Sequence, residues 1–217
     1  MTRTTNARIA GVAFLLYIAA AFPAMVISSR ATAGSDIATR LATMAQHAFD
    51  VRLAAVLSMI GCFCALVLAV TLYAITRVQD PDLAMMGLTC RVAEGVTGGS
   101  GLAATLALLA SVNAAGSEAL GAFVFADTVF VAATFFAVGS TLFSWLLLRG
   151  RMVPAWLALV GVVGSAVVAV AMPLETLHVL SGSVAQFTWA PVAVFEVVVA
   201  GWFIIKGVPE VGVVHAR

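Results

Sequence analysis

Long apolar runs, separated by short clusters of charged and turn-forming residues, repeat along this chain. Six of them cover residues 9–29, 51–75, 85–110, 120–148, 156–172 and 187–205. Each is long enough to cross a hydrocarbon core about 30 Å thick, which takes roughly 20 helical residues. The pattern predicts an all-α polytopic membrane protein, a six-transmembrane-helix bundle forming a single domain over residues 1–217. Short connections make consecutive helices antiparallel neighbours and leave no room for a separate soluble domain.

The first run needs a check, because Ala31-Thr32-Ala33 resembles a signal-peptidase site. The run is longer than an h-region, and Arg30 stands just ahead of the site, so we read it as a retained spanning helix. The long connection that follows, from Arg30 to Asp50, has its own periodicity. Ile37, Leu41, Met44 and Ala48 recur on one helical face, with Asp36, Arg40, Thr43, His47 and Asp50 opposite. This predicts a short amphipathic helix, capped by Ser35 or Asp36, on the outer membrane surface or over the bundle mouth.

Composition agrees with the pattern. Apolar residues make up 63% of the chain and charged ones 10%, too little polar surface to cover a globule in water. The 11 basic and 10 acidic residues nearly cancel and form no basic run, which excludes nucleic acid as a partner. The partners expected are membrane lipids, a lipid-like or small-molecule ligand, and a membrane protein partner or further copies of the chain. Cys62, Cys64 and Cys90 lie inside apolar runs and read as small buried side chains, not as a disulfide or zinc framework. Placing the N-terminus inside puts Arg3, Arg8, Arg77, Arg149, Arg151, Lys206 and Arg217 in the cytoplasm, against Arg30, Arg40 and Arg52 outside. That asymmetry predicts cytoplasmic N- and C-termini.

An ionisable side chain at mid-bilayer costs about 2.5 to 3.5 kcal/mol on insertion scales, so each one needs a partner or a purpose. Arg91 and Glu94 share one face of the third helix, continued by Gly98, Gly101 and Thr105 as a small and polar groove. Glu196 falls at a similar depth in the sixth helix, so a triad of Arg91 between two carboxylates is geometrically open. Asp127, followed by Thr134 and Thr141 at seven-residue spacing, is expected to face the interior from the fourth helix. One buried arginine cannot balance three ionised carboxylates, which points to a proton or ligand site. The plainer reading is that these groups pin helix register.

On the outer side, His47 with Asp50 and Glu175 with His178 stand at i, i+3. Two such pairs brought together would offer four ligands for zinc or a similar metal. No haem is expected, since His215 is the one remaining histidine and lies in the tail. No nucleophile elbow or phosphate loop is present in a fitting context; Gly98-Gly99-Ser100-Gly101 sits inside an apolar run, where small residues serve packing. Gly95 with Gly99, and Gly161 with Ser165, have the spacing that lets helices approach closely, within one chain or between copies.

Arg8-Ile9-Ala10-Gly11, Arg52, Arg91-Val92-Ala93-Glu94, Phe135-Phe136 with Gly139, Val153-Pro154, and Glu196 with Trp202 and Lys206-Gly207 together resemble an uncharacterised bacterial membrane family, domain of unknown function 4386. The resemblance implies one six-helix domain in a bacterial inner membrane, with Arg52, Arg91, Glu94 and Glu196 at motif positions. It brings no activity with it. His47, Asp50, Glu175 and His178 match none of its positions.

Three functions follow as expectations. The first is a non-enzymatic membrane protein whose polar interior holds a small or lipid-like ligand. The second is a proton-coupled transporter using Glu94, Glu196 or Asp127. The third is a membrane metalloenzyme with an outer-face site.

Overall fold

Polar punctuation sets the helix starts. Thr2, Asp36 and Asp80 each accept a hydrogen bond from the backbone N–H three residues on, satisfying one of the donors that a helix N-terminus leaves open. The computed structural model describes residues 1–126, 129–180 and 187–209. Its helices are α1 (Arg3–Ala31), α2 (Ile37–Gln46), α3 (Ala48–Thr76), α4 (Pro81–Ala110), α5 (Ser117–Phe125), α6 (Val129–Arg149), α7 (Ala155–Thr176) and α8 (Ala190–Ile205).

The six longer helices close a ring in chain order. α1 packs on α3, α3 on α4, α4 on α6, α6 on α7, α7 on α8, and α8 back on α1. Polar contacts at one end fix the directions. Arg3, opening α1, donates to the carbonyls of Pro209 beyond α8 and Ile75 at the close of α3, and to Met152 Sδ just before α7. Arg149, closing α6, pairs with Asp80 at the start of α4 at 3.3 Å. Neighbours therefore run antiparallel all round the ring, as short connections require. The core at this end takes residues from all six helices, including Phe14, Leu72, Ala84, Phe143, Leu157 and Phe203.

At the opposite end α2 and α5 lie against each other. Leu41 and Met44 of α2 are buried with Ala31, Val51, Leu108 and Leu109, and Gly121 of α5 meets Ile37 and Leu41. Arg40 donates to the Thr32 carbonyl at 3.0 Å and stacks its guanidinium 3.9 Å from the Phe125 ring centre. This packing revises the fourth apolar run, expected as one helix over 120–148. α5 stops at Phe125, and Ala126 is extended, with φ −62° and ψ 144°. This short helix packs against α2 and α4, and α6 begins at Val129.

Five stretches among the described residues are long and apolar enough to cross a membrane: Arg3–Ala31, Ala48–Thr76, Pro81–Ala110, Ser117–Arg149 and Ala155–Thr176. Residues 127 and 128 of the fourth are not described. α8 is apolar but 16 residues long, about 24 Å at 1.5 Å per residue. Phe22, Met25, Phe63, Val70, Val163 and Val170 point outward on these helices, each more than half exposed. A surface of that kind belongs against acyl chains, and the whole has the pattern of a multi-pass membrane protein.

Candidate functional site

The charged interior is built where α1, α4, α6 and α8 meet. Arg91 is 1% exposed, and Glu94 and Glu196 are each 6% exposed. Being one turn apart on α4, Arg91 and Glu94 pair locally, with Nη1 and Oε2 3.0 Å apart. Tyr17 Oη, from α1, donates to Glu94 Oε1 at 3.0 Å. α6 shapes the arginine's bed. Gly139 gives its stem room, since a Cβ there would stand 3.3 Å from both Cγ and Cδ of Arg91. The guanidinium lies 4.9 Å from the Phe136 ring centre and 5.7 Å from that of Tyr17, within cation–π range. Phe136 stacks in turn on Trp189, centroids 5.7 Å apart.

Glu196 reaches the same interior from α8. It feels the charges of both Arg91 and Glu94, and all three act on Tyr17. Glu196 Oε1, Glu94 Oε2, and Nε and Nη2 of Arg91 are buried without a hydrogen-bond partner among the described residues. The 3.0 Å contact between Arg91 and Glu94 is thus a charge contact lacking hydrogen-bond alignment. One guanidinium faces two carboxylates in a medium that supplies little solvation.

Two cavities flank this network, and they divide it. A void of about 10 Å³ on the α6 side is lined by Arg91, Ser140, Ser144 and Phe195. A groove of about 390 Å³ lies on the other side, between α1, α3 and α4. Its wall carries Tyr17 and Glu94, then Ala21, Ala24, Gly98 and Leu102. Gly61 and Cys62 line it from α3. The volume falls in the range of small-molecule sites. Arg91 lines the void, and Glu94 lines the groove.

The other residues singled out by the sequence lie elsewhere. Arg52 is exposed in the first turns of α3. Asp127 lies outside the described residues; Thr134 and Thr141, expected to share its stripe, return their hydroxyls to the Phe130 and Ala137 carbonyls of their own helix. His47 and Asp50 do pair, at 3.3 Å, but both are about half exposed. The four-ligand metal cluster is not assembled: among the described residues no three His, Cys, Asp or Glu side chains converge. His47 and Asp50 border the packing of α2 on α3, α4 and α5, whereas the end of α7 packs with α6 and α8. Glu175 and His178 also share no helix face, because α7 ends at Thr176 and His178 turns left-handed, with φ 56°.

Gly95 and Gly161 work within the chain. A Cβ on Gly95 would stand 3.2 Å from the Cys62 carbonyl of α3, and one on Gly161 would stand 2.6 Å from Phe195 and Ser144. Tyr17, Phe136 and Cys62 are the site residues that sequence reasoning missed. A tyrosine at mid-helix in an apolar run was the available signal for the first, since its hydroxyl needs a partner there. Phe136 stood among the residues that carry the family resemblance, with no role attached to it, and for Cys62 no signal separated it from ordinary core residues.

No curated protein and no solved structure gives a significant match to the chain. A family model does, over residues 9–207, a stretch that includes Tyr17, Arg91, Glu94, Gly139 and Glu196. On that match the chain belongs to the family described as a domain of unknown function, DUF4386.

Proposed function

We propose that this protein is a non-enzymatic ligand-binding protein of the bacterial inner membrane, which holds a small or lipid-like molecule in the groove between α1, α3 and α4. The observation that carries the reading is a buried carboxylate, held by Tyr17 and Arg91, in the wall of a groove otherwise lined mainly by small and apolar residues. An amphiphile matches such a surface, with a polar head at Glu94 and an apolar body along Ala21, Ala24 and Leu102. The network also fixes the relative positions of α1 and α4, so the groove keeps its shape without the ligand.

In this reading all six longer helices cross the bilayer, α8 with its flanking residues. The end that carries Arg3, Arg8, Arg77, Arg149, Arg151 and Lys206 faces the cytoplasm, in keeping with the positive-inside rule. α2 and α5 then cover the outer end of the bundle.

Filling the groove tests the proposal. Gly61 borders it, and a Cβ there would meet nothing within 4 Å, so Gly61→Leu is expected to fold with unchanged or higher thermal stability. Mass spectrometry of small molecules retained after detergent exchange should find a stoichiometric amphiphile with the wild type and none with Gly61→Leu. Equal retention by both proteins would refute the groove as the binding site.

A further inference from the structure

The division of charge between the two cavities says what kind of head group the groove accepts. We infer that the ligand is a lipophilic amine, bound with its ammonium nitrogen at Glu94 and its hydrocarbon along the small-residue wall of α1 and α4; this rests on the ligand-binding reading above.

The groove presents a carboxylate and withholds the guanidinium. Glu94 is in the groove wall, while Arg91 lines the void on the far side. An anionic head would meet Glu94 with no cation on its own side. A carboxylate offers about four acceptor sites. Here Tyr17 donates to one oxygen, and the other touches Arg91 without an aligned hydrogen bond. Oε1 keeps acceptor capacity beyond its bond from Tyr17, while Oε2 is itself buried, and a head that satisfies Oε1 must be a donor.

The charge count points the same way. The titratable or charged side chains around the site are Tyr17 of α1, Cys62 of α3, Arg91 and Glu94 of α4, and Glu196 of α8. Ionised, the acids outnumber the base by two to one. An ammonium brings the count to two against two, an uncharged head leaves it as it is, and a carboxylate or phosphate worsens it in a medium of low dielectric. A proton can also balance the count, so proton and amine compete for the same position; neutralising Glu94 removes the preference for a cation, and neutralising Glu196 weakens it.

Cys62 lines the groove beside Glu94 and reports occupancy without a label elsewhere. The protein in lipid nanodiscs is loaded with dodecylamine, dodecanol or dodecanoate at matched amounts. The rate of Cys62 alkylation by N-ethylmaleimide is then read by site-resolved mass spectrometry. Dodecylamine should protect Cys62 at roughly tenfold lower loading than dodecanol, the discrimination expected of one charged hydrogen bond, and dodecanoate should protect least. In Glu94→Gln the amine and the alcohol should become equivalent. Glu196→Gln should narrow the gap in the same direction, and it serves where Glu94→Gln fails to fold. If dodecanol or dodecanoate protects the wild type as well as the amine does, the amine is the wrong class, while ligand binding in the groove stands. Alkylation that no amphiphile slows, or a Cys62 that does not react in unloaded discs, would overturn both readings.

Discussion

Arg91→Ala is expected to lower the unfolding free energy by about 3 to 5 kcal/mol, the usual cost of breaking a buried ion pair from one side. The side chain is 1% exposed and holds Glu94 at 3.0 Å. Removing it leaves two buried carboxylates with no cation in the network, and it strips the cation from the faces of Phe136 and Tyr17. Arg91→Lys should recover part of the loss and not all of it. An ammonium keeps the charge, but it lacks the planar fork that lies between these rings. Thermal unfolding in a single detergent, followed by circular dichroism, reads both variants. An alanine variant as stable as the wild type would mean that the acids do not depend on Arg91.

Gly11→Leu should cost about 3 kcal/mol, the upper part of the range for overpacking. A Cβ at Gly11 would lie 2.7 Å from the Ala200 carbonyl oxygen and 3.1 Å from the Phe203 Cβ. A backbone oxygen cannot rotate away as the end of a side chain can. α1 and α8 would have to part, and this is the contact that closes the ring. Gly201, next to Ala200 on the facing helix, is the control. A Cβ there meets nothing within 4 Å, so Gly201→Leu should change stability by no more than about 0.5 kcal/mol. Denaturant titration of the two variants side by side gives the comparison, and equal losses would contradict the packing of α1 on α8.

The helical, membrane-spanning character was legible because apolar length survives any error in detail. The runs at 9–29, 51–75, 85–110 and 156–172 all fall inside long helices of the structure. The fourth run read as one helix because composition does not change across Phe125. Gly121 and Phe125 of α5 dock on α2, a tertiary contact that no one-dimensional pattern carries. The pairing of Arg91 with Glu94 followed from their spacing, since one helical turn is a local rule. Tyr17 did not follow, because it comes to Glu94 from a helix 77 positions away in sequence. The metal reading took Glu175 and His178 as a helical pair, and the spacing gave no sign that the chain turns left-handed at His178. The groove was half visible. Its α4 wall does begin at Glu94 and Gly98, but it continues to Leu102, while the Thr105 hydroxyl bonds the Gly101 carbonyl of its own helix.

The charged groups at mid-helix are buried together in the interior and are not aimed at lipid. A double-mutant cycle on Arg91→Met and Glu94→Gln measures this burial of partners most directly, with unfolding free energy as the readout. The double variant is expected to be more stable than the sum of the single losses allows, by about 1 to 3 kcal/mol, because each partner's removal strands the other. Losses that simply add, to within about 0.5 kcal/mol, would show that the two side chains do not interact, and the buried network would have to be abandoned.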